Sequence, residues 1–129
     1  MQMNITIQIG SLSMQAALND TPAAGKVMAA LPIRASFSTW GDEIYFPIPV
    51  DAELDDSARQ VVEIGDLGYW PPGKACCIFF GQTPVSKAGE IRPASAVNII
   101  GRVVEDATRF KEVMRERAVE LKLLSRPGR

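Results

Sequence analysis

The sequence predicts a mainly β protein: a closed β-barrel of about eight strands carrying two short helices. Three observations lead there. Short stretches in which apolar and polar residues alternate recur along the whole chain. Clusters of glycine, proline and aspartate separate them, and only two stretches carry helical spacing. With 129 residues the chain has the size of one domain, and strands this numerous and closely spaced favour a barrel, which leaves no open edge.

Residues 4–9 alternate, with Ile5, Ile7 and Ile9 on one face and Asn4, Thr6 and Gln8 on the other. A period of two marks a half-buried strand. Gly10 and Ser11 form a turn signal, and Leu12, Met14, Ala16 and Leu18 resume the alternation, so residues 4–18 read as a hairpin. Asn19-Asp20-Thr21-Pro22 starts a helix, with Thr21 or Asp20 as cap and Pro22 in the first turn. Val27, Met28 and Leu31 supply its apolar stripe, and Pro32 ends it.

Residues 35–40 and 43–50 flank Gly41-Asp42 and form a second hairpin, with Ile44, Phe46 and Ile48 on one face. Pro47 and Pro49 donate no ladder hydrogen bond, which places the end of that strand at a rim. Residues 51–57 read as an acidic loop, 61–64 as a short strand and 65–73 (GDLGYWPPG) as a shaped loop. Residues 75–80 form an apolar run suited to a strand buried on both faces. A long connection over 81–95 precedes a strand at 97–104, a helix at 106–117 and a closing strand at 119–124. The domain therefore spans residues 1–124, with a polar tail at 125–129.

Composition excludes several functions. There are 14 basic and 15 acidic side chains, a net charge of −1, and hence no basic field for nucleic acid or anionic lipid. Histidine is absent, which removes histidine-based triads and imidazole metal ligands. The two cysteines, Cys76 and Cys77, are adjacent and read as free thiols in a reducing compartment. The first nine residues lack the pattern of a signal peptide, and no apolar run reaches the ~18 residues of a membrane span. A cytoplasmic protein without a cofactor and without membrane contact is expected.

Four motifs in order carry a resemblance: WGDEIYFPIPV at 40–50, GDLGYWPPGKACCIFFG at 65–81, TPVS at 83–86 and PASAVNIIGRV at 93–103. Together they resemble the small prokaryotic cyclophilin-like family, single-domain proteins of uncharacterised function. The resemblance implies a compact cyclophilin barrel with a helix over each open end. Cyclophilins proper are peptidyl-prolyl isomerases. By the same resemblance, Phe79-Phe80 is similar to the paired phenylalanines of the proline pocket, and residues 67–71 to the segment that holds the substrate backbone. The pattern departs from cyclophilins at the catalytic arginine, where Ser38-Thr39-Trp40 stands. It departs again at two glutamines, replaced by Phe46 or a neighbour and by Ile78, and over 93–97, which lack the tryptophan and histidine of the far wall.

The candidate ligand residues are Phe46, Tyr69, Trp70 and Phe80, with Trp40 and Thr39 beside them. Rigid aromatics flanked by Pro71-Pro72 make a platform with few rotamers to freeze; Tyr69 and Trp70 also suit a loop anchor packed over the barrel end, and Phe46 and Phe80 suit filling the barrel. Arg34 at the start of its strand and Arg92 in the long connection are the arginines placed to reach the barrel face instead of the absent one. Asp42, Glu43 and Asp66 are carboxylates beside the aromatics, and aspartate next to glycine is a turn residue. Residues 51–62 lack the glycine and the final glutamate of a calcium loop. Lys74 beside Gly73 reads as exposed, and Cys76 and Cys77 point to opposite strand faces. The leading expectation is a binding module for an extended, proline-containing peptide or a small apolar ligand. The alternative is a weak peptidyl-prolyl isomerase without the usual arginine, and a third reading is self-association.

Overall fold

The structure is a computed structural model, and it describes residues 3–124. The tail expected at 125–129 lies outside the described residues.

β1 (Met3–Ile9) and β2 (Leu12–Leu18) form the first hairpin, with Ile9 opposite Leu12 across Gly10 and Ser11. Gly10 takes φ +56°, a conformation that suits glycine. Ile5, Ile7 and Ile9 are fully buried. Their polar alternates Thr6 and Gln8 face outward, because a strand's side chains switch faces at every residue.

The remaining strands are β3 (Ile33–Ser36), β4 (Ser38–Thr39), β5 (Glu43–Pro47), β6 (Ala58–Arg59), β7 (Asp66–Trp70), β8 (Ala75–Phe79), β9 (Val97–Val103) and β10 (Ala118–Leu123). They pair antiparallel in the order β3-β10-β1-β2-β9-β7-β8-β5-β4, with β6 added on β9. The two ends of this path, β3 and β4, are separated only by Phe37, whose N–H donates to Arg117 O at 2.9 Å. The nine strands of the path therefore form a nearly closed barrel. One stave, broken at Phe37, belongs to both of its ends.

α1 (Pro22–Ala30) starts as expected: the Thr21 hydroxyl accepts from Ala24 N at 3.3 Å, with Pro22 in the first turn. Ala23, Ala24 and Val27 join the barrel core. The helix expected at 106–117 is instead a 3₁₀ helix over Ala107–Val113, capped by Asp106. A winding of three residues per turn stacks Ala107, Phe110 and Val113 in one line, and all three are buried.

Two further expectations are corrected. Residues 65–73 are not a loop: β7 runs through them between β8 and β9, and only Pro71–Gly73 form a tight 3₁₀ turn. The glycine that suggested a loop serves packing. A Cβ on Gly68 would lie 2.8 Å from a Val97 methyl and 3.2 Å from the Phe79 ring. Residues 61–64 are not a strand; β6 precedes them, and Val62 alone bridges to Ile91.

Strand parity creates two apolar clusters. The barrel interior gathers Ile44, Phe46, Tyr69, Cys76, Ile78 and Phe80, among others. A smaller cluster sits on the outer face of the sheet, where Val62, Cys77, Phe79, Ile91 and Val97 pack with Tyr45, Trp70 and Ile99. The connection between β8 and β9 covers this outer cluster through Ile91.

Candidate functional site

On β5 the inward residues Ile44 and Phe46 leave Glu43 and Tyr45 on the outer face. β8 places Cys77 beside them, since Tyr45 pairs with Cys77 and Glu43 with Phe79. β7 contributes Trp70, β9 Val97, and the long connection Pro93 and Ala94. With Trp40 these residues line a cleft of about 210 Å³.

Each wall is held in place. Trp40 sits before the β4–β5 turn, and its N–H donates to Glu43 O at 2.9 Å. Gly41 in that turn has φ +60°, and a Cβ there would lie 2.7 Å from Gln82 O. Trp70 donates its indole N–H to Ser95 Oγ at 2.7 Å. Its ring lies against Gly73, where a Cβ would come within 2.8 Å of it. The Pro93 wall is fixed by Ser86, whose hydroxyl accepts from Thr83 N at 3.0 Å and from Arg92 N at 2.9 Å. The Thr83 hydroxyl donates to Arg92 O.

Glu43 is the chemically unusual member. Its side chain belongs to a residue only 5% exposed, in a cleft whose other walls are largely apolar. Burial pushes its carboxyl up to about 7, against the opposing pull of a hydrogen bond from the Cys77 thiol. Burial and the neighbouring carboxyl hold the Cys77 thiol well above the usual thiol range. Near neutral pH the cleft therefore holds a carboxyl poised between its two forms, beside a thiol that stays protonated.

The family model of the cyclophilin-like proteins matches residues 3–122. The chain belongs to the cyclophilin-like family. A hypothetical protein from Archaeoglobus fulgidus, known from a solution structure, is similar at 40% identity, with 95% of each chain covered and a TM-score of 0.79. The comparison with curated proteins gives no match.

In this cyclophilin-like chain the six expected ligand residues divide. Trp40 and Trp70 meet at the cleft. Phe46, Tyr69 and Phe80 are at most 1% exposed and belong to the barrel interior. Phe80 packs on Phe110 with ring centroids 6.0 Å apart. The Tyr69 hydroxyl donates to Val50 O at 2.7 Å and accepts from Ala52 N at 3.3 Å, which ties down the acidic loop. Thr39 is exposed on β4, opposite Ile44, and is not a lining residue of the cleft. Parity is the reason for the split: Phe46 and Tyr69 occupy inward positions on β5 and β7, and Phe80, one residue past β8, continues the inward alternation of Cys76 and Ile78.

Neither arginine faces the cleft. Arg34 is paired with Glu120 at 3.0 Å on β3 and β10, and Arg92 with Glu90 at 2.8 Å. The three carboxylates do not converge. Asp42 faces Lys111 at 3.6 Å, and Asp66 accepts from Glu63 N at 2.9 Å. Lys74 is exposed and lies 3.6 Å from Asp51. The acidic loop is anchored by Asn98, fully buried, which accepts from Asp55 N at 2.8 Å and donates to Glu53 O at 2.9 Å. Tyr45, Pro93 and Val97 were not singled out by sequence. The signal for Tyr45 was available, since an inward Phe46 requires an outward Tyr45 next to Trp40.

Proposed function

We propose that this cyclophilin-like protein is a binding module whose Trp40–Trp70 cleft takes one small, largely apolar group. The group is a proline-like ring from an extended peptide, or its equivalent on a small ligand. One observation carries the reading: two tryptophans and a tyrosine wall an outer-surface cleft of about 210 Å³, each wall held by the contacts described above. An apolar cavity of roughly 150 Å³ holds one benzene-sized ring, whereas drug-sized ligands occupy roughly 300 Å³ or more. The size therefore suits a single ring or side chain.

The partners in this reading are peptides or small molecules, with no role for nucleic acid or a membrane. Among the described residues no helix is long and apolar enough to cross a membrane. Two buried, unpaired thiols favour the cytoplasm as its place of work. The isomerase alternative finds less support, because stabilising a twisted prolyl amide calls for a donor at its nitrogen and, among the described residues, no arginine lines the cleft.

Tryptophan fluorescence titrated with proline-containing peptides tests the proposal. Saturable quenching is expected, and Trp70→Ala should weaken binding by roughly 10–100-fold, the cost of removing an aromatic anchor. Equal binding by the variant, with its far-UV spectrum unchanged, would place the ligand elsewhere.

A further inference from the structure

Within that reading, we infer that the cleft selects a positively charged group: an alkylammonium head seated among Trp40, Tyr45 and Trp70, with its charge met by the Glu43 carboxylate.

Two independent features of the cleft select the same sign. Aromatic faces carry negative potential and attract cations positioned over them, and three aromatic residues share this small space. Among the described residues, Glu43 is the one carboxylate lining it. Its residue is 5% exposed, so its charge is poorly met by water. Among the described residues it has a thiol hydrogen bond from Cys77 and no cation. The nearby basic side chains are engaged elsewhere: Lys111 with Asp42 at 3.6 Å, Arg92 with Glu90 at 2.8 Å and Lys74 with Asp51 at 3.6 Å. A buried carboxylate lacking a counter-ion is unfavourable, and a ligand that brings its own positive charge supplies the missing partner. A methylated ammonium fits best. It is weakly hydrated, fills an apolar space and still carries its charge.

Ligand binding is then coupled to a proton. Among the described residues that line the cleft with Glu43, Cys77 on β8 and Tyr45 on its own strand carry an acidic hydrogen; Trp40, Trp70 on β7, Val97 on β9, and Pro93 and Ala94 on the connection bring no charge. The Cys77 thiol stays protonated. Below neutral pH the free protein holds the Glu43 proton, and a bound cation expels it. A neutral ligand leaves it in place.

The test compares choline with its neutral isostere 3,3-dimethylbutan-1-ol by titration calorimetry on the intact protein. Choline should bind at least tenfold tighter at pH 8.5. Its affinity should fall roughly 30-fold by pH 5.5, about tenfold for each pH unit below about 7. At pH 5.5, buffers of different ionisation enthalpy should report close to one proton released per choline and none per isostere. Glu43→Gln, a shape-conserving change, should abolish the preference for choline over the isostere and its pH dependence, with the far-UV spectrum unchanged. A peptide bearing trimethyllysine that binds tighter than choline assigns the cation to a peptide side chain; equal affinity assigns it to a free small amine. If choline and the isostere bind equally at pH 8.5 with no proton release, the cation inference falls and the apolar binding module stands. If neither binds while a proline peptide still binds through Trp70, the cation inference falls alone; if the proline peptide fails to bind as well, both fall.

Discussion

Replacing Glu43 by glutamine should change how stability depends on pH, and the size of the change follows from the site. The Glu43 carboxyl is lifted from 4.5 to about 7 in the folded protein. In the unfolded chain it titrates at its ordinary value. Between those two values the folded state keeps a proton that the unfolded state has lost. Folding stability therefore falls as pH rises through this window, by about 1.4 kcal/mol per pH unit and by about 3 kcal/mol across it. Below about pH 4.5 both states are protonated and the penalty vanishes; above about pH 7 it is constant. Glutamine cannot titrate, so Glu43→Gln removes this slope. Its amide brings an offset of its own, but that offset does not vary with pH. Urea unfolding of both proteins from pH 4.5 to 8.5 supplies the comparison. The other carboxylates contribute equally to each profile and cancel in the difference. The variant should gain about 3 kcal/mol relative to the parent between the two ends of the range. Parallel profiles would mean that Glu43 ionises freely in the folded state, and the account of a poorly solvated carboxyl would be refuted.

Two glycines should respond in opposite directions to alanine. At Gly101 a Cβ would press into the Ala17 carbonyl on β2 and lie 3.0 Å from Leu18 Cα; both contacts are backbone, so Gly101→Ala should cost about 3 kcal/mol in urea unfolding. Gly25, inside α1, has nothing within 4 Å of an added Cβ, so Gly25→Ala should gain roughly 0.5–1 kcal/mol through helix propensity. The thiols should be inert in the native protein. Burial pushes Cys76 up to about 12 and holds Cys77 well above its usual range. A disulfide reagent at pH 8 should therefore modify both only after denaturation, and rapid labelling of either native thiol would contradict their placement.

Local rules were enough for most of the sheet. The β1–β2 hairpin follows from an unbroken period of two and a glycine at the turn. The start of α1 follows from Thr21-Pro22, and the all-buried β8 from an apolar run with no polar alternates. Local rules failed where composition and packing disagree. Residues 65–73 carry the glycines and prolines of a loop, yet Gly68 is the contact between β7, Val97 and Phe79. That requirement depends on residues far along the chain. The 3₁₀ helix at Ala107–Val113 went unread for a related reason: a spacing of three also fits one face of an α-helix.

The candidate site was half legible. Aromatic content drew attention to Trp40 and Trp70, and to Glu43 as one carboxylate among three. Aromaticity alone could not separate wall from core, so Phe46, Tyr69 and Phe80 stood beside the tryptophans although each points into the barrel.

By itself, then, the sequence determined the class of fold, the strands whose alternation is regular, the absence of histidine chemistry and the family resemblance. Those depend on residue type and on neighbours along the chain. Tertiary structure decided that Trp40, Tyr45, Trp70 and Pro93 share one cleft and that Glu43 lies buried among them. A residue's proton affinity and its accessibility are set by what surrounds it in space, and that surrounding is assembled from β5, β7, β8, β9 and the connection only when the barrel closes.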